Sequence, residues 1–127
     1  FFHLAEQKHK IDARWDWMTR IVSLKPALEK RGYAGHVKAA LELEVRDDVL
    51  SENKGRWKLE VEGGAAMVEK GGKGKVKVDI RGLAAMYTGA LSAQDAEQIG
   101  HLEAGEADKT TLNALFAGPT PWTPDFF

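Results

Sequence analysis

The sequence contains no cysteine among its 127 residues. This absence excludes a disulfide framework, a thiolate zinc site and a cysteine nucleophile. Disulfides are rare in the cytosol, so the composition fits a cytoplasmic protein, and we expect that location. A chain of this length buries enough surface to fold as one domain on its hydrophobic core, without a disulfide or metal staple.

The sequence also lacks an excess of one charge and long apolar runs. Lys and Arg number 18 against 19 for Asp and Glu, which gives a formal net charge of -1. That balance argues against a nucleic-acid-binding domain, which usually carries a basic excess. The apolar runs are only a few residues long, too short to span a membrane. We therefore expect neither a nucleic acid partner nor a membrane span.

Metal-ligand patterns are missing as well. The four histidines stand alone, with no second histidine at ligand spacing and no acidic cluster beside them: His3, His9, His36 and His101. The polar loop over 47–55 begins with two aspartates but lacks the alternating ligands and central glycine of a calcium loop. We assign no metal and interpret that loop as a solvated turn.

Three segments alternate apolar and polar residues with a period of two, which predicts strands with one face on a core and one in water. These segments are residues 37–46, 56–62 and 75–80. Gly63-Gly64 predicts a hairpin into another strand at 65–69, and the glycines of 71–74 predict a further hairpin turn. Strand-forming residues over 17–22 predict an opening strand.

Helix signals occupy the remaining segments. Pro26 near the start and Gly32 at the end predict a short helix. Ser92 and Asp95 form a capping box, and Asp108 is the predicted cap of the last helix. The helices are predicted to begin near 23, 81, 92 and 108. The fold class is therefore α+β, a mostly antiparallel sheet with helices on one face.

The chain divides into an amino-terminal arm, or remnant of a preceding domain, over 1–16 and one domain over 17–127. Its tail over 118–127 holds three of the four prolines together with three aromatic residues. Prolines lower the entropy that such a segment loses when it docks. The tail either plugs the domain's own core or places the carboxylate of Phe127 at a partly desolvated point. A raised pKa there would make that carboxylate a general base.

Six segments in order carry a family resemblance: 17–22, 26–33, 57–61, 80–89, Leu115-Phe116 and 121–127. Together they resemble the C-terminal domain of Eis-like ("enhanced intracellular survival") GNAT N-acetyltransferases. That domain has a sterol carrier protein-like α+β fold. The resemblance covers residues 17–127, and the order and spacing of the motifs carry it more than any single motif.

The resemblance implies a function and a set of site residues. It implies that the terminal carboxylate of Phe127 deprotonates an acceptor amine, with Phe126, Asp125, Trp122 and Trp17 positioning it or lining the substrate pocket. It implies acetyl-CoA as the cofactor, bound by an upstream GNAT domain of the same polypeptide and outside this chain. It further implies amine substrates, such as aminoglycosides and lysine side chains, and a homo-oligomer, often a hexamer.

Whether the domain works in an enzyme depends on the rest of the protein. The sequence begins Phe1-Phe2-His3 without methionine, which favours a piece of a longer polypeptide. Arg81 to Ala84 partly match an acetyl-CoA loop, but Met86 stands where that loop needs a small residue. We therefore expect no cofactor site in this domain. The alternatives are a free-standing carrier that holds a sterol or other lipid in an apolar pocket, and an oligomerisation domain without a site.

Overall fold

The computed structural model describes residues 18–118 of the chain. The described residues form, in chain order, α1 Leu24–Lys30, β1 Ala39–Arg46, β2 Gly55–Glu62, β3 Ala65–Lys70, β4 Val76–Asp79, α2 Ile80–Tyr87, α3 Ala93–Gln98, β5 Leu102–Glu103 and α4 Glu106–Leu115. None of the helices within 18–118 has the length and apolar character needed to cross a membrane. The predicted α+β class is confirmed.

The strands form one sheet in the order β3-β2-β1-β4-β5. Neighbouring strands pair antiparallel, except that β1 and β4 run parallel, with Leu43 opposite Val76. The predicted hairpin between β2 and β3 is confirmed. Gly63 and Gly64 both have positive φ, 60° and 83°, as the tight two-residue turn between twisted strands requires.

The alternation of the strands places the core on one face of the sheet. In β1 the side chains of Leu41, Leu43 and Val45 are buried, whereas the intervening residues are partly or fully exposed. The helices cover the buried face with their own fully buried side chains, which are Leu24, Leu28, Ile80, Leu83, Met86, Leu112 and Leu115. The opposite face of β1 and β2 carries charged side chains, which are partly or fully exposed.

The predicted hairpin turn over 71–74 is wrong, because this loop is a crossover. It leaves the edge strand β3 and passes over the charged face of β2 and β1. A Cβ on Gly72 would lie 3.2 Å from Lys58 Cγ, and one on Gly74, where φ is +65°, would lie 2.9 Å from Glu44 Cβ. The glycines let the backbone lie against these side-chain stems, and the crossover sets β4 parallel to β1.

The predicted opening strand is also wrong over its described residues, 18–22. Only Ile21 in this segment is buried, so it lacks the alternation of a half-buried strand. Its backbone carbonyls accept hydrogen bonds from a side chain and not from a neighbouring strand. The Asn53 amide donates to the carbonyl oxygens of Ile21, at 3.4 Å, and Val22, at 3.2 Å.

The helix ends agree with most of the capping predictions. Gly32, with φ +77°, follows α1, and the Ser92/Asp95 capping box at α3 is confirmed. The predicted cap at Asp108 is wrong, since α4 begins at Glu106 with Gly105 as its N-cap. Asp108 lies in the first turn, where its negative charge favours the positive end of the helix dipole. The two-residue strand β5 was not predicted.

The outer edge of the sheet at β3 is covered by α1. Val68 turns its backbone N–H and C=O away from β2. Its amide donates to Glu29 Oε1 at 3.1 Å, and its carbonyl accepts from Lys25 Nζ at 2.6 Å. Lys25 and Glu29 lie one helical turn apart and also pair with each other. This ion pair satisfies an edge that otherwise invites another strand.

Candidate functional site

The site residues predicted from the sequence lie outside the described residues. They are Phe127, Phe126, Asp125, Trp122 and Trp17. The structure instead shows how the domain holds the points from which the two outlying segments continue, Gly118 at one end and Met18 at the other.

Arg31 fixes the end of α4, just before the tail. Its guanidinium donates to the carbonyl oxygens of Tyr87, at 3.0 Å, and Leu115, at 3.2 Å, which lie at the carboxyl ends of α2 and α4. It also lies 5.2–5.5 Å from the centroids of three aromatic rings, those of Tyr33, Tyr87 and Phe116. A cation at helix carboxyl ends complements both helix dipoles, so one side chain joins two helices and three rings.

The two tyrosines around Arg31 are bonded to α1. Tyr33 Oη donates to the Leu28 carbonyl at 2.8 Å, and Tyr87 Oη donates to the Ala27 carbonyl at 3.1 Å. Burial raises the pKa of Tyr33 to about 12, so its hydroxyl stays a donor at physiological pH. Beside Tyr33 a groove of about 520 Å³ extends to Ala117, one residue before Gly118. Gly118, the first residue of the tail, therefore follows a helix end that Arg31 and the surrounding aromatic rings hold in place.

A second network fixes the start of the described chain. Arg20 Nη2 donates to both carboxylate oxygens of Asp47, at 2.7 and 3.0 Å. Asn53 Nδ2 donates to Asp47 Oδ2 at 3.0 Å, and its Oδ1 accepts from the Leu24 amide at 2.9 Å. Asp48, Ser51 and Glu52 are exposed, as the expected solvated turn requires, but Asp47 and Asn53 are only 4% and 2% exposed and depart from it. The loop is built around two buried polar side chains.

The carboxylate of Asp47 is ionised across the ordinary pH range. Burial alone raises its pKa, but hydrogen bonds from the Leu50 and Val49 amides, from Asn53 and from Arg20 hold the pKa well below its usual range. Asn53 is further fixed because its carbonyl accepts from Trp57 Nε1 at 2.8 Å. The sequence analysis did not predict this network, although an aspartate directly after a predicted strand, Asp47, was a signal for it.

A third polar cluster surrounds Asp79, the N-cap of α2. Its carboxylate accepts from the side chain and amide of Arg81 and from Arg46 Nε, at 2.8–3.1 Å. The Arg81 side chain first, and then its amide and Arg46, hold the pKa of Asp79 well below its usual range against the opposing effect of burial. His101 Nδ1 is buried 3.6 Å from Asp79 Oδ1, and no residue in 18–118 hydrogen-bonds to it. The hydrogen bonds of the Asp79 carboxylate therefore give it a structural role, as the cap of α2 and the partner of Arg46.

The segment that partly matches an acetyl-CoA loop does not fit the cofactor. Residues 81–84 belong to the first turns of α2, where the Arg81 amide donates to the capping carboxylate of Asp79, and the Arg81 side chain is bound to the same carboxylate. No pyrophosphate-binding loop is formed there. Among residues 18–118 no group of three or more potential metal ligands comes together either.

The apolar space between the sheet and the helices is filled by side chains. Leu43 and Leu59 from the sheet and Leu83 and Leu112 from the helices are fully buried. The grooves of about 520 and 710 Å³ lie elsewhere, the second across β1, β4 and β5 and partly lined by charged residues. The lipid-carrier alternative needs an apolar pocket between the sheet and the helices, and neither of these two grooves lies there.

Comparison with known families gives one match over most of the chain. The model of the sterol carrier protein domain matches residues 24–124. Two curated Streptomyces griseus proteins, each named as an uncharacterized N-acetyltransferase, are 35% identical over 119 residues. The match takes in 91% of this chain, which spans 28% of the length of those relatives.

Solved structures show the same fold. A GCN5-related N-acetyltransferase from Anabaena variabilis matches with a TM-score of 0.81 and 44% identity, over 85% of this chain and 28% of that one. One from Kribbella flavida matches with a TM-score of 0.78 and 27% identity, over 85% and 29%. Eis1 from Mycobacterium abscessus shares the fold, with a TM-score of 0.69 and 24% identity over 85% and 27%. The resemblance predicted from the sequence is confirmed.

Proposed function

The chain belongs to the sterol carrier protein domain family, and we propose that it is the carboxyl-terminal domain of a GCN5-related N-acetyltransferase. The likeness to the Anabaena variabilis acetyltransferase, which extends over most of the chain, carries this proposal. In the intact protein an upstream GNAT domain binds acetyl-CoA, and this domain binds no cofactor. Its task is to shape the pocket for an acceptor amine.

The proposed catalytic group is the carboxylate of Phe127, with Phe127 as the last residue of the intact protein. It accepts the proton that the acceptor amine loses, and a partly desolvated setting would raise its pKa toward that of a useful base. Phe126, Asp125, Trp122 and Trp17 position it or line the acceptor pocket. Support comes from the fixed origin of the tail: Arg31 holds the end of α4, and residues 119–127 reach at most about 30 Å.

A carboxyl-terminal extension tests this role in the intact protein. Adding Gly-Ser after Phe127 keeps every residue but moves the carboxylate away from its site. We expect kcat for acetyl transfer to an aminoglycoside to fall by about 10²-fold or more, because general base catalysis is lost. The same dipeptide added at the amino terminus is the control. Unchanged turnover of the extended enzyme would rule out the carboxylate as the base.

The remaining features of the proposal concern the whole protein. We propose a cytoplasmic location and a homo-oligomer, up to the hexamer that the family resemblance implies. The intact mass of the native protein tests for an upstream region and for Phe127 as the last residue, and sedimentation of the same sample gives the assembly state.

A further inference from the structure

A groove of about 520 Å³ lies where the tail begins. Its two walls are the segment that follows α1 and the carboxyl end of α4, and Ala117, one residue before Gly118, belongs to its lining. A chain that continues past Gly118 therefore starts at the rim of this groove. We call it the Tyr33 groove and define it by six of its lining residues, which are Arg31, Tyr33, Ala34, Val37, Ala114 and Ala117.

The walls of the Tyr33 groove are held in place by hydrogen bonds within the domain. On one wall the Tyr33 amide donates to the Gly64 carbonyl at 3.0 Å, and Tyr33 Oη donates to the Leu28 carbonyl at 2.8 Å. On the other wall the Leu115 carbonyl accepts from Arg31. A segment that binds here therefore has only itself to order, which lowers the entropic cost of binding.

The lining of the Tyr33 groove combines an aromatic ring, small side chains and donors of hydrogen bonds. Its basic side chains are Arg31 and His36, and no carboxylate of residues 18–118 lines it. Arg31 donates through Nε and Nη1 to three backbone carbonyls, and its Nη2 has no acceptor among residues 18–118. The two N–H groups of Nη2 suit a ligand that offers carbonyl oxygens.

The first residues of the tail match this lining in their chemistry. They read Pro119-Thr120-Pro121-Trp122. Proline has no backbone N–H, so both prolines bring carbonyl acceptors without a donor that would need a partner. A polyproline helix has three residues per turn and would place Pro119 and Trp122 on one edge. Aromatic-lined grooves are the common binding sites of such proline-rich segments.

We propose that the Tyr33 groove binds residues 119–122 of the same chain, with Trp122 as the anchoring side chain. Two observations select this occupant over a separate partner. The segment is the first that follows Gly118, and its four residues span at most about 14 Å, so it stays close to the rim of the groove. The family model also continues to residue 124, so the domain that it describes includes this segment.

Binding in the groove shortens the free part of the tail, a consequence for catalysis that rests on the proposed function. Only residues 123–127 remain free, and they reach at most about 17 Å from the groove. The effective concentration of a tethered group falls roughly as the −3/2 power of the tether length. Five free residues in place of nine therefore raise that of the Phe127 carboxylate about 2.4-fold. Trp122 is in this way a positioning residue, which acts on the amine through Phe127.

Thiol labelling of the intact protein tests whether the tail covers the groove. Ala34→Cys places a thiol in the lining, and Gly35→Cys is the matched control, since Gly35 is the next residue, equally exposed in the domain and outside the lining. We expect Trp122→Ala to raise the maleimide labelling rate at position 34 about tenfold and to leave position 35 unchanged, because labelling waits for the tail to leave. Trp122→Phe keeps an aromatic anchor and is expected to keep position 34 slow. Equal rates at position 34 with tryptophan and with alanine would overturn the proposal.

Kinetics of the intact enzyme test the positioning role. We expect Trp122→Ala to lower kcat at least about 2.4-fold while KM for acetyl-CoA stays the same. In the enzyme extended by Gly-Ser the same substitution is expected to have no further effect, because the carboxylate is already displaced. An equal proportional loss of kcat in both enzymes would overturn the positioning role.

A disulfide identifies the copy that supplies the tail. In Ala34→Cys/Thr120→Cys we expect oxidation to join the two thiols within one chain, at least roughly tenfold faster than in Gly35→Cys/Thr120→Cys. A disulfide between two chains would overturn the proposal in favour of tail exchange between copies. Protection of position 34 by Trp122, with unchanged turnover of the enzyme extended by Gly-Ser, would refute the proposed base and keep the tail in the groove. Loss of turnover on extension without that protection would do the reverse.

Discussion

Arg31 and Leu115 are 84 positions apart in the chain, yet the Arg31 guanidinium donates a hydrogen bond of 3.2 Å to the Leu115 carbonyl. The same group bonds the Tyr87 carbonyl, so it joins the ends of α2 and α4. A planar guanidinium serves several carbonyls and rings at once, which a lysine ammonium does not. Position 31 therefore requires an arginine, because a lysine with the same charge would not make all of these contacts.

Replacing Arg31 with lysine tests that specificity. We expect Arg31→Lys to lower the free energy of unfolding by about 1–3 kcal/mol, because hydrogen bonds and ring contacts are lost while the charge stays. Urea unfolding measures the change. Arg56→Lys is the matched control, since Arg56 is exposed and its ion pair with Glu44 is long, at 4.0 Å. An equal effect of both substitutions would contradict the assigned role.

Gly82 offers a second test, because its position reverses an ordinary preference. Alanine in a helix is normally more stable than glycine by about 1 kcal/mol. A Cβ on Gly82 in α2, however, would lie 2.6 Å from His101 Cβ and 3.2 Å from the His101 carbonyl oxygen. We expect Gly82→Ala to destabilise the domain by about 1–3 kcal/mol through overpacking.

The control for Gly82 is Gly35→Ala. A Cβ on Gly35 would meet no atom within 4 Å, and this residue does not need positive φ. Thermal unfolding of both variants gives the comparison. A melting temperature of Gly82→Ala at or above that of the parent protein would show that α2 and His101 separate without cost.

The cover of the β3 edge predicts a local change in amide exchange. Glu29→Ala removes the acceptor of the Val68 amide and the carboxylate with which Lys25 pairs. We expect the Val68 amide to exchange with solvent about tenfold faster, with little change at the centre of the sheet. Glu62→Ala is the control, because Glu62 forms an exposed surface pair with Lys38. Equal exchange at Val68 in both variants would show that Glu29 does not protect this edge.

The buried aspartates predict how stability depends on acid. The pKa values of Asp47 and Asp79 in the folded protein lie below the unfolded value of about 3.9, so the folded state binds fewer protons. Their contribution to stability is present above pH 4 and is lost as the pH falls through their folded values. We expect Asp47→Asn and Asp79→Asn each to cost about 2 kcal/mol at pH 7 and less at pH 3.

Urea unfolding between pH 3 and 7 measures this dependence, with Asp48→Asn as the control because the Asp48 side chain is exposed. Either buried variant keeping the full acid dependence of the parent protein would show that another carboxylate carries it.

The local elements were predictable because each has a local cause. The alternation through β1 and β2 marked one buried face, and Gly63-Gly64 marked the hairpin that follows β2. Ser92 and Asp95 marked the start of α3 because a capping box needs only four consecutive residues. The family resemblance also followed from the sequence, since it needed only the order of short segments.

The partners of distant residues were not predictable in the same way. Alternation shows which face of β4 is buried but not that β1 is its neighbour, so the sequence predicts a hairpin over 71–74 where the structure has a crossover. Asp47 and Asn53 read as a polar loop because nothing local shows that Arg20 and the Leu24 amide meet them. The predicted site residues in the tail, and Trp17, lie outside the described residues and stay predictions.

We expect the crossing loop between β3 and β4 to set the order in which the sheet is completed. β1, β2 and β3 are neighbours in sequence, so their pairing closes short loops and forms readily. We therefore expect β4 to pair with β1 only after β1, β2 and β3 have paired and the glycine loop lies across them. Until then the central strand keeps one edge open during folding. Substitutions at Gly72 or Gly74 that delay the placement of this loop would lengthen the time for which newly made chains expose the open edge of β1 to one another.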